Sequence, residues 1–315
     1  MTPKSGPRFS DQVTRKKRLL VISNGHGEDS IAAEIVRRLP PTITADAYPT
    51  LGEGRAFAGV CTIVGPRRSL PSEGHRLAGS LLRDARAGFG IGPAMHFMRS
   101  EARNYDKILV VGDMLGVVMC WLSGNRAAIY LDVYKSGYGN AYSAAERWLL
   151  RRATDLVLNR DDVLAERLRR AGIGARFAGS AMMDTLVIGP YDAAARRRHP
   201  IAITVLPGSR AHNVENFKLQ LAALRLLPEI VRIDLFMPLA RAEDAARLAD
   251  ATGLQNTGDI LTDGAIAINW AAGSLGAMLA ASDIVLGQAG TANLQAVGLG
   301  KPVVSFVAPS TTARR

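Results

Sequence analysis

Asp113 is the residue best placed for catalysis in this sequence, because it follows the apolar run Lys107–Val111 after a single glycine. An apolar run of this length predicts a buried parallel strand. Open α/β sheets keep their active sites at the carboxyl ends of such strands, where a carboxylate can act as general base on a hydroxyl group. Asp is also a preferred helix N-cap, so the alternative is that Asp113 only caps a helix predicted over Met114–Leu122.

A second polar group follows the first predicted strand, Arg18–Ser23. Its members are Gly25, His26, Gly27, Glu28 and Asp29, ahead of a helix predicted over 30–39. Paired glycines suggest a dinucleotide turn, but two carboxylates in the first helical turn repel a pyrophosphate. We therefore expect this turn to bind a sugar or take a proton from its hydroxyl, with His26 as the second catalytic candidate. The alternative is that the carboxylates only complement the helix dipole.

Two glycine-bearing turns near the C-terminus are suited to hold an anion. The first follows the apolar run 201–206 and contains Gly208, Ser209 and Arg210. The second follows a strand ending at Leu286 and contains Gly290, Thr291, Ala292, Asn293 and Gln295. Backbone N–H groups at a helix N-terminus, together with an arginine, favour a nucleotide diphosphate. The alternative is an ordinary strand-to-helix connection with Thr291 as N-cap.

Strands and helices alternate along the sequence, which predicts an α/β fold with doubly wound parallel sheets. A chain of 315 residues is long enough for two domains, each with its own core. The polar stretch 188–200 is bounded by prolines and predicts a linker. We therefore expect a basic arm over 1–17, an N-terminal domain over 18–187 and a C-terminal domain over 201–315. The stretch 259–270 is expected to be irregular.

Three segments of the sequence resemble a known enzyme family. LPGSR at 206–210 and GTANLQAVGLGKPVV at 290–304 are similar to the donor-binding half of lipid A disaccharide synthase and its GT-B glycosyltransferase relatives. SNGHGEDSIAAEI at 23–35 resembles the lipid-A-disaccharide-synthase-related branch of that family. The resemblance extends over about 19–304. It implies a GT-B-like fold, in which two Rossmann-like domains face each other across a cleft.

The resemblance also implies a reaction, the transfer of a GlcNAc-type sugar from a UDP-sugar to a glycolipid acceptor by inverting displacement. Asp113, or alternatively His26, would remove the acceptor proton, since the family has an essential Asp after the corresponding strand. The two C-terminal turns would bind the donor, while the turn 25–29 and Lys135 would bind the acceptor. One loop departs from the family pattern, with Ser180 and Ala181 where His and Pro are usual. A soluble UDP-sugar enzyme such as an epimerase, or a non-catalytic peripheral membrane protein, stays open as an alternative.

The formal net charge of +11 predicts an anionic partner. Nucleic acid is not expected, because aromatic residues make up only 6% of the chain and no nucleic-acid-binding module is recognised. The anionic surface of the inner membrane is the expected partner. The basic segment 75–103, which carries Met and Phe residues, is a candidate for that contact, with packing on the sheet as the alternative.

Neither a metal nor another cofactor is expected from the sequence. Cys61 and Cys120 suggest no disulfide framework, and the five histidines lack metal-ligand spacing. The N-terminus lacks the apolar core of a signal peptide. These features predict a cytoplasmic protein, peripherally associated with the inner membrane. Family members continue past the equivalent of Val307, so we expect an incomplete C-terminal domain or its completion in a homodimer.

Overall fold

The computed structural model of the chain describes residues 16–67, 91–208, 212–228 and 232–306. The chain forms two compact units, divided between Ala181 and Met182. Each unit contains a seven-stranded sheet within the described residues. The predicted doubly wound α/β architecture is confirmed. None of the described helices is both long enough and apolar enough to cross a membrane.

In the first unit, parallel strands alternate with helices. The elements are β1 Lys17–Ser23, α1 His26–Arg37, β2 Ile43–Pro49, β3 Thr62–Ile63, α2 Ile91–Ser100, β4 Lys107–Gly112, α3 Met114–Leu122, β5 Ala127–Asp132, α4 Ala144–Ala153, β6 Thr154–Asn159, α5 Asp162–Arg170 and β7 Ala175–Phe177. The strand order is β3-β2-β1-β4-β5-β6-β7, with parallel pairing between the described neighbours. The strand order reverses between β1 and β4. Open sheets bind ligands beside the carboxyl ends of such a strand pair.

The central strands of the first sheet are buried on both faces. Leu20 and Val110 are almost inaccessible to solvent on one face, and Val21 and Val111 are almost inaccessible on the other. The helices cover one face with Met98, Val117, Leu150 and Leu164. Burial of each large apolar side chain contributes about 1.5–3 kcal/mol to the free energy of folding. The polar residues at the strand ends are thus held by a well-packed support.

The second unit contains a mixed sheet. Its elements are β8 Ile201–Leu206, α6 Asn213–Leu224, β9 Ile233–Leu239, α7 Glu243–Thr252, β10 Gln255–Thr257, β11 Ile260–Thr262, β12 Ala267–Ala272, α8 Leu275–Ala281, β13 Ile284–Gly287, α9 Gly290–Gly298 and β14 Val303–Val304. The strand order is β10-β11-β12-β9-β8-β13-β14. From β12 to β14 the pairing is parallel, whereas β10, β11 and β12 pair antiparallel. The neighbouring strands β8 and β13 lead into the two glycine-bearing turns.

One segment of the second unit differs from its predicted structure. The stretch 259–270 was expected to be irregular, which is wrong, because it supplies β11 and most of β12. Its turn is closed by Asp263, whose carboxylate accepts the N–H groups of Ala265 and Ile266. The stretch 188–200, predicted as a linker, lies in the second unit, where Arg197 forms an ion pair of 2.7 Å with Asp283.

Candidate functional site

Asp113 lies at the carboxyl end of β4 and caps α3. Its Oδ1 accepts the N–H of Leu115 at 2.7 Å, and its own N–H donates to Oδ1 of Asn24 at 3.4 Å. Gly112 has φ +130°, and a Cβ there would lie 2.1 Å from the same Asn24 oxygen. Glycine therefore permits this close approach of the β1 and β4 ends. The sequence did not identify Asn24, which binds the backbone of the candidate base.

Glu28 belongs to the same cluster as Asp113 and Asn24, whereas the Asp29 side chain is directed into the protein. The Glu28 side chain is only 7% exposed and accepts a hydrogen bond from the hydroxyl of Tyr134. Its Oε2 lies 2.5 Å from the place that a Cβ on Gly25 would take. Asp29 is buried, and its carboxylate accepts the Ser23 hydroxyl at 2.6 Å.

The other two members of the predicted turn lie in the first turn of α1, which begins at His26. A Cβ on Gly27 would meet no described atom within 4 Å. Because β1 and β4 are adjacent parallel strands, the turn 25–29 and Asp113 lie at neighbouring strand ends.

A loop after β5 completes this edge of the first sheet and is organised by Asp132. The Asp132 carboxylate is 1% exposed and accepts the N–H groups of Tyr134 and Lys135 at 2.9 and 3.0 Å. It also accepts the hydroxyl of Tyr142 at 2.5 Å. Burial raises the pKa of Asp132 above its usual value of 3.8, and burial likewise raises the pKa of Tyr142. Asp132 therefore fixes the backbone that carries Tyr134, which contacts Glu28.

Lys135 is engaged by the start of α4. Its Nζ lies 3.0 Å from Oε1 of Glu146 and 5.3 Å from the centroid of the Tyr142 ring. Glu146 is also part of a capping box with Ser143. A sugar or phosphate oxygen that binds Lys135 must therefore share or displace this ion pair.

In the second unit the two glycine-bearing turns lie side by side, because β8 and β13 are adjacent parallel strands. The N–H of Gln288 donates to the carbonyl of Leu206 at 2.8 Å. Gly208 has φ +93°, and a Cβ there would lie 3.7 Å from the Gln288 carbonyl oxygen. Ser209 and Arg210 lie outside the described residues.

Gln220 braces the two strand ends, a role that the sequence did not reveal. From α6, its amide donates to the carbonyls of Leu206 and Leu286 at 3.1 and 2.9 Å. A single glutamine within the apolar run LQLAAL was the only signal of this brace in the sequence.

The N-terminus of α9 is open to an approaching ligand. The helix begins at Gly290 after Ala289, and no side-chain hydrogen bond caps it within the described residues. A Cβ on Gly290 would meet no described atom within 4 Å. The first N–H groups of a helix lack partners inside the helix and carry its positive dipole end. Gly290, Thr291 and Ala292 thus present an uncapped helix end beside the Gly208 turn.

Asn293 and Gln295 make contacts within the second unit. The Asn293 amide donates to the Gly287 carbonyl at 3.1 Å, while its buried Oδ1 finds no partner among the described residues. The Gln295 amide donates to the Met182 carbonyl and to Oγ1 of Thr185, both at 3.1 Å. Asn293 therefore lies at the turn itself, and Gln295 holds the segment that begins the unit.

The chain matches no protein-family model. The lipid-A-disaccharide synthase of Azoarcus sp. (strain BH72) is 30% identical to it over 145 residues, which is 44% of this chain and 36% of that protein. The matched segment thus spans only about a third of that relative's length.

Several solved structures resemble most of the chain, and two of them represent different enzyme classes. A putative UDP-N-acetylglucosamine 2-epimerase from Listeria monocytogenes is 16% identical with a TM-score of 0.57, covering 95% of this chain and 81% of that one. A UDP-glucosyltransferase from Polygonum tinctorium is 11% identical with a TM-score of 0.54, covering 94% and 82%. At these identities the similarity establishes the fold. The predicted GT-B-like fold of two Rossmann-like units is confirmed.

Proposed function

We propose that this chain is a glycosyltransferase of the GT-B type that takes its sugar from a UDP-sugar. The observation that carries the proposal is the uncapped start of α9 at Gly290, adjacent to the turn at Gly208. A diphosphate is the ligand that best fits an open helix N-terminus, since backbone N–H groups and the helix dipole both favour negative charge. The Listeria and Polygonum structures carry the names of UDP-sugar enzymes, which supports the choice of nucleotide.

The acceptor is proposed to be a glycolipid. The 30% identity to a lipid-A-disaccharide synthase and the net charge of +11 support this choice. The first unit supplies the polar strand ends that would receive the acceptor hydroxyl. We further propose a cytoplasmic location at the inner-membrane surface and a GlcNAc-type donor.

The proposed chemistry is a single displacement at the anomeric carbon. Asp113 removes the proton of the acceptor hydroxyl, whose oxygen bonds to that carbon while the bond to UDP breaks. UDP leaves with the electron pair, and the turns at Gly208 and Gly290 stabilise its added negative charge. Glu28, Tyr134 and Asn24 would position the acceptor around Asp113.

A soluble UDP-sugar epimerase is the second candidate, favoured by the whole-chain similarity to the Listeria protein. Inversion at C2 removes and returns a hydrogen on the sugar and needs no acceptor. The two activities therefore leave different products from the same donor.

One assay separates the two candidates. The protein is incubated with UDP-GlcNAc in D₂O, with and without a bacterial membrane extract, and the products are followed by NMR. A transferase releases UDP only when the extract is present. Deuterium at C2 without UDP release would instead establish the epimerase, and an unchanged donor under both conditions would reject both activities.

A further inference from the structure

The peptide group that joins Gly112 to Asp113 is held by side chains at both of its polar atoms. Its carbonyl accepts the hydroxyl of Tyr130 at 3.2 Å, and its N–H donates to Oδ1 of Asn24 at 3.4 Å. The N–H of Val133 reaches the same carbonyl at 3.4 Å. Tyr130 lies on β5 and Asn24 follows β1, which are the two strands that flank β4. Both neighbouring strands therefore fix the peptide group that carries the candidate base.

Tyr130 is a buried anchor for the Gly112 carbonyl. Its side chain is inaccessible to solvent and belongs to the apolar core of the first unit. Burial raises the pKa of Tyr130 well above its usual value of 10, and the charge of Asp132 acts in the same direction, while a hydrogen bond with Tyr142 opposes them. The phenol therefore keeps its proton and stays a donor. Tyr142 is held in turn, because its hydroxyl donates to the Asp132 carboxylate at 2.5 Å.

We infer that Tyr130 is a positioning residue for Asp113 and that, together with Asn24, it fixes the peptide group between Gly112 and Asp113. The buried Tyr130 hydroxyl cannot touch a substrate, so its effect on the reaction passes through this backbone. Gly112 needs such support, because a glycine at φ +130° has no Cβ to restrict its conformation. A misplacement of a reacting group by about 1 Å can cost roughly 10²-fold in rate. The inference rests on the proposed role of Asp113 as general base.

Tyr130→Phe removes the hydroxyl and keeps the buried ring. The matched control is Tyr105→Phe just before β4, because the Tyr105 hydroxyl donates to the Asp46 carboxylate at 2.8 Å, away from Gly112. The rate of UDP release from UDP-GlcNAc is measured with a bacterial membrane extract as acceptor. In Tyr130→Phe, kcat should fall about 10- to 100-fold while KM for UDP-GlcNAc stays the same, and the control should keep both constants. An unchanged kcat in Tyr130→Phe, or equal losses in both variants, would overturn the inference.

A double variant separates positioning from a general loss of stability. If Tyr130 acts through Asp113, then adding Tyr130→Phe to Asp113→Asn should lower the transfer rate no further. The same loss from Tyr130→Phe in both backgrounds would show that Tyr130 acts independently of Asp113, against the inference. Near-normal turnover by Asp113→Asn alone would reject the proposed chemistry and, with it, a catalytic effect of this contact.

Amide hydrogen exchange on the full chain tests the contact without any turnover. Mass spectrometry of peptides that cover 112–115 should show faster exchange in Tyr130→Phe and in Asn24→Ala, but wild-type exchange in Tyr105→Phe. Asn24→Ala removes the hydrogen bond on the other side of the peptide group, so it still gives a result if the core variant does not fold. Unchanged exchange in both variants would overturn the inference even in an active transferase. Faster exchange in a chain that transfers no sugar would support the positioning contact and reject the proposed function alone.

Discussion

Asp113 combines a structural and a chemical role that one substitution can separate. Asn is as good an N-cap as Asp, so Asp113→Asn should keep the free energy of unfolding within about 0.5 kcal/mol. Asn cannot take a proton, so sugar transfer should fall roughly 10²- to 10⁴-fold. Urea unfolding and UDP release measure the two effects. Asp113→Ala is the comparison, since it should also lose about 1 kcal/mol of stability with the cap. Near-normal transfer by the Asn variant would remove Asp113 from the mechanism.

Asp132 makes a pH-dependent contribution to stability. Because burial raises its pKa in the folded state above 3.8, the folded protein holds this proton more tightly than the unfolded chain. Its stabilising contribution is present below pH 3.8 and is lost as the pH rises through the folded-state pKa. Asp132→Asn does not titrate, so wild type should lose stability relative to this variant as the pH rises above 3.8 and through the raised folded-state pKa. Urea unfolding of both proteins across this range is the measurement, and a constant difference would contradict the assignment.

At the scale of single residues, the sequence predicted the features that depend on neighbouring positions in the chain. The position of Asp113 at the end of β4 could be predicted because a long apolar strand precedes it. The Tyr134 contact to Glu28 joins residues separated by 106 positions, and no local pattern encodes such a contact. Asn24 and Gln220 were missed for the same reason, because their partners lie on other strands.

The position of α3 depends on a close approach to β4. Gly116 faces this strand, and a Cβ there would lie 2.6 Å from Cγ1 of Val110. Gly116→Ala should therefore push α3 outward and destabilise the protein by about 1–3 kcal/mol. The control is Gly92→Ala on α2, where a Cβ meets no described atom within 4 Å. Thermal unfolding compares them, and equal melting temperatures would show that α3 is not held by this contact.

Elements were predicted well where apolar runs are long and poorly where they are short. The central strands β4 and β8 came directly from such runs. The antiparallel strands β10 and β11 have only three residues each, and all three residues of β10 are exposed. No apolar pattern in the sequence therefore predicted these strands. The predicted start of α1 at Ser30 was late, because the N–H of Asp29 already donates to the Gly25 carbonyl at 2.8 Å.

At the scale of the whole molecule, alternating elements and a length of 315 residues predicted two α/β units. The carboxyl ends of their parallel strands carry different chemistry. Carboxylates and hydroxyls gather in the first unit, whereas the second unit presents the uncapped helix start at Gly290. This division supports the proposed transferase, in which the first unit would bind the acceptor and the second unit would bind the nucleotide.

The central claim is that the second unit binds a diphosphate at Gly290, and UDP titration calorimetry on the full chain tests it. Gly290→Ala should leave the fold intact, because the added Cβ meets no described atom within 4 Å and alanine favours helix. That methyl group would occupy the space that the phosphates need. Wild type and Gly92→Ala should bind UDP alike, while Gly290→Ala should bind at least about tenfold more weakly, a loss of about 1.4 kcal/mol. Equal affinity of all three proteins for UDP would contradict the account.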